Sequence, residues 1–143
     1  MAIQTLVFFV EDKNMNLQSL KSNGTRSIIY CRSETGDSKE LDYQKEKTLA
    51  YTETHGYSVS EIFMESGEMD SSTYHSLRLR AKYREFDILL VAELEVFGNS
   101  PIEITQEINY LVENGIKVLS LKDGELNGET LPVAFRKSFR LVK

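Results

Sequence analysis

Cysteine is nearly missing from this chain: Cys31 is the only one in 143 residues. That excludes a disulfide framework and a paired-cysteine metal site, and it makes a reducing cytoplasm the expected compartment. Tryptophan is absent and proline occurs twice, and no Pro-rich linker, internal repeat or low-complexity tract divides the chain. Long apolar runs are missing as well. The run Leu6-Val7-Phe8-Phe9-Val10 is cut short by Glu11-Asp12 and nothing basic precedes it, so neither a signal peptide nor a membrane span is expected. A basic balance is lacking: 17 Lys+Arg against 22 Asp+Glu give a net charge of -5. An autonomous, sequence-independent nucleic-acid binder is normally basic, so strong free-standing DNA affinity is not expected. No G-x-G-x-x-G or Walker pattern occurs, Gly36 and Gly98 read as isolated turn glycines, and no cofactor or metal is expected.

What is present fits one globular domain. The chain is 41% hydrophobic and 27% charged, and at this length a domain buries roughly 70% of its unfolded surface without a staple. Continuous apolar segments at Ser27–Cys31, Tyr57–Phe63, Phe86–Val91 and Ile116–Leu121 read as strands covered on both faces. Helical patterns lie between them. Asp37 or Ser38 caps the first, which turns Leu41, Thr48, Leu49 and Thr52 inward and stops at Gly56. Tyr74, Leu77 and Ala81 mark the second, with Arg78, Arg80, Lys82 and Arg84 on its wet side. Ser100, Pro101 and Glu103 form a capping box for the third, which carries Ile104, Ile108 and Leu111 inward and stops at Gly115. The result is β-α-β-α-β-α-β, an α/β class with a mainly parallel sheet.

Two ends lie outside that unit. Ile3–Val10 reads as an added edge strand, and the segment from Leu131 reads as a helix started by Pro132, with Arg136, Lys137, Arg140 and Lys143 toward its carboxyl end. That segment is too apolar to leave in water, so it folds back on its own sheet or enters another subunit. Phe135 and Phe139, spaced by four, are the contact residues expected of a dimer.

In open α/β sheets, reacting groups gather beyond the carboxyl ends of the strands. There the chain reads Tyr30-Cys31-Arg32-Ser33-Glu34-Thr35, followed by Leu41-Asp42-Tyr43-Gln44. Asp87-Ile88-Leu89-Leu90-Val91-Ala92-Glu93-Leu94-Glu95-Val96-Phe97-Gly98-Asn99 follows, and then Gly115-Ile116-Lys117-Val118-Leu119-Ser120. In order and spacing these resemble Y-x-R-V-S-T, L-D-x-Q, D-V-L-V-V-x-x-L-D-R-L-G-R and G-V-x-x-x-S of the serine recombinases, the resolvase and invertase family, in their N-terminal catalytic domain. The resemblance implies a three-layer α/β/α domain over residues 27–128, with sheet order 2-1-3-4 and an extra edge strand. Residues 1–26 become an N-terminal extension and 129–143 a short amphipathic segment, with no helix-turn-helix domain.

The family's serine attacks a DNA phosphodiester and forms a phosphoserine link, helped by a cluster of arginines that position the phosphate and stabilise its charge. The resemblance places that site at Tyr30, Arg32, Ser33, Glu34, Gln44, Glu95, Val96 and Asn99. Here the nucleophile position is Glu34, two arginine positions are Val96 and Asn99, the aspartate is Glu95, and Glu68–Ser76 contains no arginine. Ser33 is one step away, and one step along an extended chain turns a side chain to the other face. The resemblance therefore implies a resolvase-type recombinase domain that does not cut DNA. The alternative is a non-catalytic regulatory module that pairs with itself or with an active recombinase. Expected partners are DNA, bound weakly or through a partner recombinase, and a second subunit in a homodimer or heterodimer, with no membrane.

Several residues keep two readings. Arg32 is either a retained phosphate-binding group or the ion-pair partner of Glu34 and Glu95. Those two glutamates are either solvated or a metal or acid/base pair. The cationic helix face from Arg78 to Arg84 either tracks a DNA backbone or is plainly solvated. His55 and His75 read as surface residues and Cys31 as an inert core thiol.

Overall fold

β-Strand β1 (Arg26–Ser33) runs through the middle of the sheet with every residue after Arg26 buried. The computed structural model describes residues 25–67 and 72–139. Around β1 the chain forms α1 (Ser38–His55), β2 (Ser58–Ser66), α2 (Ser72–Lys82) and β3 (Ile88–Val91). A 3-10 turn at Leu94–Phe97 leads into α3 (Pro101–Glu113), β4 (Lys117–Ser120), β5 (Gly124–Leu126) and α4 (Leu131–Phe139). The sheet order is β2-β1-β3-β4-β5, parallel except for the β4–β5 pair. The mainly parallel α/β sheet is as the sequence pattern implies, and the order 2-1-3-4 is as the resemblance implies.

The described sheet has one edge strand beyond the order 2-1-3-4. The expected one, Ile3–Val10, lies outside the described residues. The edge strand found is β5, which the sequence reading left unassigned because three residues carry no periodicity. A hairpin turn makes it: Ser120 Oγ donates to Asp123 Oδ2 at 2.7 Å and accepts from the Asp123 N–H at 3.0 Å. Gly124 takes a positive φ of 86°, and the Asp-Gly pair is the local signal for such a turn.

The two sheet faces are unequal. α2, α3 and α4 cover the larger core, which holds Tyr30, Leu77, Leu89, Phe97, Ile104, Ile108 and Leu111. Burying each large apolar side chain stabilises by about 1.5–3 kcal/mol. α1 alone packs on the other face, over Ile29, Cys31 and Leu90. Its fully buried residues are polar, Gln44, Thr48 and Thr52, while Leu41 and Leu49 are only partly buried against the sheet. The threonines satisfy themselves within the helix: Thr48 Oγ1 donates to the Gln44 carbonyl at 2.8 Å and Thr52 Oγ1 to that of Leu49 at 2.7 Å. Cys31 is buried, and burial pushes its thiol up to about 12, which keeps it an unreactive thiol.

Caps fall where the sequence puts them. Asp37 caps α1 by accepting from the Lys39 N–H, and Ser100 caps α3 by accepting from that of Glu103. The reciprocal half of the box is shifted by one residue, because Glu103 Oε1 accepts from the Asn99 N–H at 2.8 Å. In α2 the expected wet face is part-committed. Arg78 lies 4.1 Å over the Tyr110 ring and Arg80 pairs with Glu61, whereas Lys82 and Arg84 are exposed. His55 is exposed and stacks on Tyr51 at 3.9 Å. In α4, Leu131, Ala134 and Phe135 are buried in the larger core and Phe139 packs against it. The segment thus folds back on its own sheet, and Phe135 covers this chain's own core. No helix among the described residues is long and apolar enough to cross a membrane.

Candidate functional site

Alternation along β1 sorts the site residues. Ile28 and Tyr30 belong to the core under α2 and α3, Ile29 and Cys31 to the one under α1. Arg32 therefore faces the first side and Ser33 the second. The buried Ser33 hydroxyl donates to Glu40 Oε1 at 2.9 Å and accepts from the Asp37 N–H at 3.0 Å. It belongs to the start of α1 and is turned away from Arg32.

Gln44 holds the same strand end from α1. Its Oε1 accepts from the Arg32 N–H and its Nε2 donates to the Arg32 carbonyl, both at 3.0 Å. The β1–β3 pairing ends at Ile29, so this carboxamide takes the place of a strand partner for main-chain groups that have run past the ladder.

Arg32 itself is buried. Its Nε donates to the Val96 carbonyl at 2.8 Å, Nη1 to that of Gly67 at 2.5 Å and Nη2 to that of Glu95 at 3.4 Å. The ion pair with Glu34 or Glu95 is not formed. The 3-10 turn presents its carbonyls to the guanidinium while Leu94, Val96 and Phe97 fill the core beneath. Val96 is thus a core residue.

Glu34 and Asn99 are exposed and joined, Asn99 Nδ2 donating to Glu34 Oε2 at 2.7 Å. Gly98, before Asn99, has a φ of 150°, and a Cβ there would come within 2.8 Å of Glu103 Oε1. Glycine is therefore needed for Glu103 to hold this loop.

Two cavities meet here. One, of about 380 Å³, lies between α2 and α3 and includes Arg32, Tyr74, Arg78, Phe97 and Glu107 in its lining. The other, of about 330 Å³, is edged by Glu34, Glu40, Glu93, Glu95, Val96 and Phe139. Burial first, and then the charge of Glu95, hold the Glu93 carboxyl above its ordinary range. Lys122 Nζ stands 3.8 Å from Glu93 and 3.9 Å from Glu95, while Glu95 Oε1 is buried without a hydrogen-bond partner among the described residues. Four carboxylates edge this cavity, and Arg32 also lines it. No group of three or more His, Cys, Asp or Glu among the described residues is placed to hold a metal ion.

Sequence reasoning did not single out Glu65. The Tyr30 hydroxyl donates to Glu65 Oε1 at 2.6 Å, and Oε2 is buried with no partner among the described residues. Burial raises the Glu65 carboxyl; the Tyr30 hydrogen bond and the Arg32 charge oppose the rise. A carboxylate amid the apolar run of β2 was the available signal. Tyr74, which donates to Glu107 Oε1 at 2.7 Å across 33 residues, gave none.

The raised Glu65 group has a definite pH sign. Its contribution to stability is fully present below the unfolded value of about 4.3 and is lost as pH rises through the higher folded value. Glu65→Gln keeps an acceptor for Tyr30 and has no proton to lose. The difference in melting temperature between variant and parent is expected to shift in the variant's favour from pH 4 to pH 7, measured by calorimetry; a constant difference would refute this.

The fold is matched by known proteins. The family model described as resolvase, N-terminal domain, matches residues 27–135. The N-terminal catalytic domain of TP901-1 integrase has a similar structure, with a TM-score of 0.66 and 21% identity over 81% of this chain and 95% of that one. A resolvase family site-specific recombinase from Streptococcus pneumoniae has a TM-score of 0.67 and 15% identity over 82% and 91%. The C-terminal catalytic domain of ISC1926 TnpA, an IS607-like serine recombinase, has a TM-score of 0.59 and 20% identity over 80% and 79%. Among the curated proteins no sequence relative matches. The family match spans well over half of the chain on the same sheet scaffold, and the chain belongs to the resolvase N-terminal domain family, the catalytic domain of the serine recombinases.

Proposed function

We propose that this chain is a serine recombinase domain that has lost strand cleavage and acts as a non-catalytic partner in DNA recombination. The observation that carries the reading is the hydrogen bond between Glu34 and Asn99. The family's serine and one of its arginines belong at these positions, and here they hold each other. A carboxylate stands where the attacked phosphate would have to approach, and phosphoryl transfer depends on positioned cations. Arg32, the one arginine retained, gives donors to three main-chain carbonyls. Ser33 faces α1 and is engaged by Glu40 and Asp37.

Incubation with supercoiled plasmid followed by denaturation and mass spectrometry tests the reading. No covalent protein–DNA adduct is expected. A phosphoserine link at Ser33 would overturn the proposal, whereas noncovalent retention of DNA is compatible with it. Pairing with a second copy or an active recombinase is the role left to such a domain. Exposed apolar residues on two helices, Ile102 on α3 and Val133 on α4, support that role.

A further inference from the structure

The two cavities beside the degenerate site share Arg32, Gly98 and Asn99 in their linings. Arg32 and the loop carrying Gly98 and Asn99 border both the space between α2 and α3 and the space edged by the four glutamates. That loop is held from two sides. Glu103 Oε1 takes the Asn99 N–H, and Glu34 Oε2 takes the Asn99 side-chain N–H. The first bond belongs to the capping of α3. The second is a single contact between two exposed side chains on loops 65 residues apart in sequence.

We propose that the Glu34–Asn99 hydrogen bond is a strap: when it opens, the two cavities join into one groove and the guanidinium of Arg32 becomes accessible from solvent. Arg32 has five N–H donors, and three bonds to carbonyls are made. Its cation has no carboxylate within ion-pair distance among the described residues. A charged group with donors to spare beside the loop is what opening would present, and the bond joins two of the side chains in which this chain departs from the family pattern. The inference does not depend on whether the domain cuts DNA, since it concerns access to Arg32 alone.

Phenylglyoxal, which adds to accessible guanidiniums, is the probe, with peptide mapping to read each arginine separately. In the parent chain Arg32 is expected to react slowly and the exposed Arg136 quickly. Asn99→Ala and Glu34→Ala each remove the strap and are expected to speed modification of Arg32 by about three- to tenfold, the range set by one hydrogen bond of ordinary net strength. Glu34→Gln keeps a carbonyl acceptor for Asn99 and is expected to leave Arg32 protected. Both positions are exposed, so the variants should keep the fold, and Arg136 reports on it. No acceleration at Arg32 in either alanine variant overturns the proposal. So does a uniform rise at every arginine, which is general loosening, or a Glu34→Gln variant as reactive as Glu34→Ala.

Discussion

Phe97→Ala is expected to destabilise the domain by about 3–5 kcal/mol, the range for emptying a buried aromatic site. Phe97 is 1% exposed, and its ring centroid lies 6.3 Å from that of Tyr30. It anchors the turn whose Glu95 and Val96 carbonyls receive the Arg32 guanidinium. The loss should therefore be felt twice, as a cavity in the core and as a loosened cradle for Arg32. A domain is stable by only about 5–15 kcal/mol, so a large fall in the urea midpoint is expected. Phe97→Leu keeps most of the apolar volume and should lose less than half as much. Equal losses in the two variants would show that core filling is not what the ring supplies.

Gln44→Leu is expected to cost about 2–4 kcal/mol, because it strands two buried main-chain groups at once. The Arg32 N–H and carbonyl both depend on this carboxamide, and leucine offers neither donor nor acceptor. Gln44→Glu tests the assignment: it keeps an acceptor for the N–H, loses the donor to the carbonyl, and adds a negative charge near Glu40, whose Oε2 lies 3.4 Å from Nε2. It should also destabilise. Hydrogen exchange of the Arg32 amide is the local readout, and an amide as protected in Gln44→Leu as in the parent would refute the clamp.

Local chemistry wrote much of the fold into the sequence. Four apolar runs, the caps at Asp37 and Ser100, and the inward series Ile104, Ile108, Leu111 and Tyr74, Leu77, Ala81 all stand where pattern and turn chemistry put them. They are legible because helix and strand periods act over a few residues. Alternation along β1 was enough to separate Ser33 from Glu34.

Only the tertiary structure decided what the site residues bind. Arg32 looked like a partner for nearby glutamates, but among the described residues the 3-10 turn brought carbonyls closer than any carboxylate. Gln44 is a buried clamp because β3 ends short of Arg32, which no local pattern reports. The partners Tyr30 and Glu65, Tyr74 and Glu107, and Glu34 and Asn99 lie 35, 33 and 65 residues apart. Hydrogen-bond partnership depends on distances of about 3 Å, and between segments this far apart the packing of helices on the sheet sets those distances.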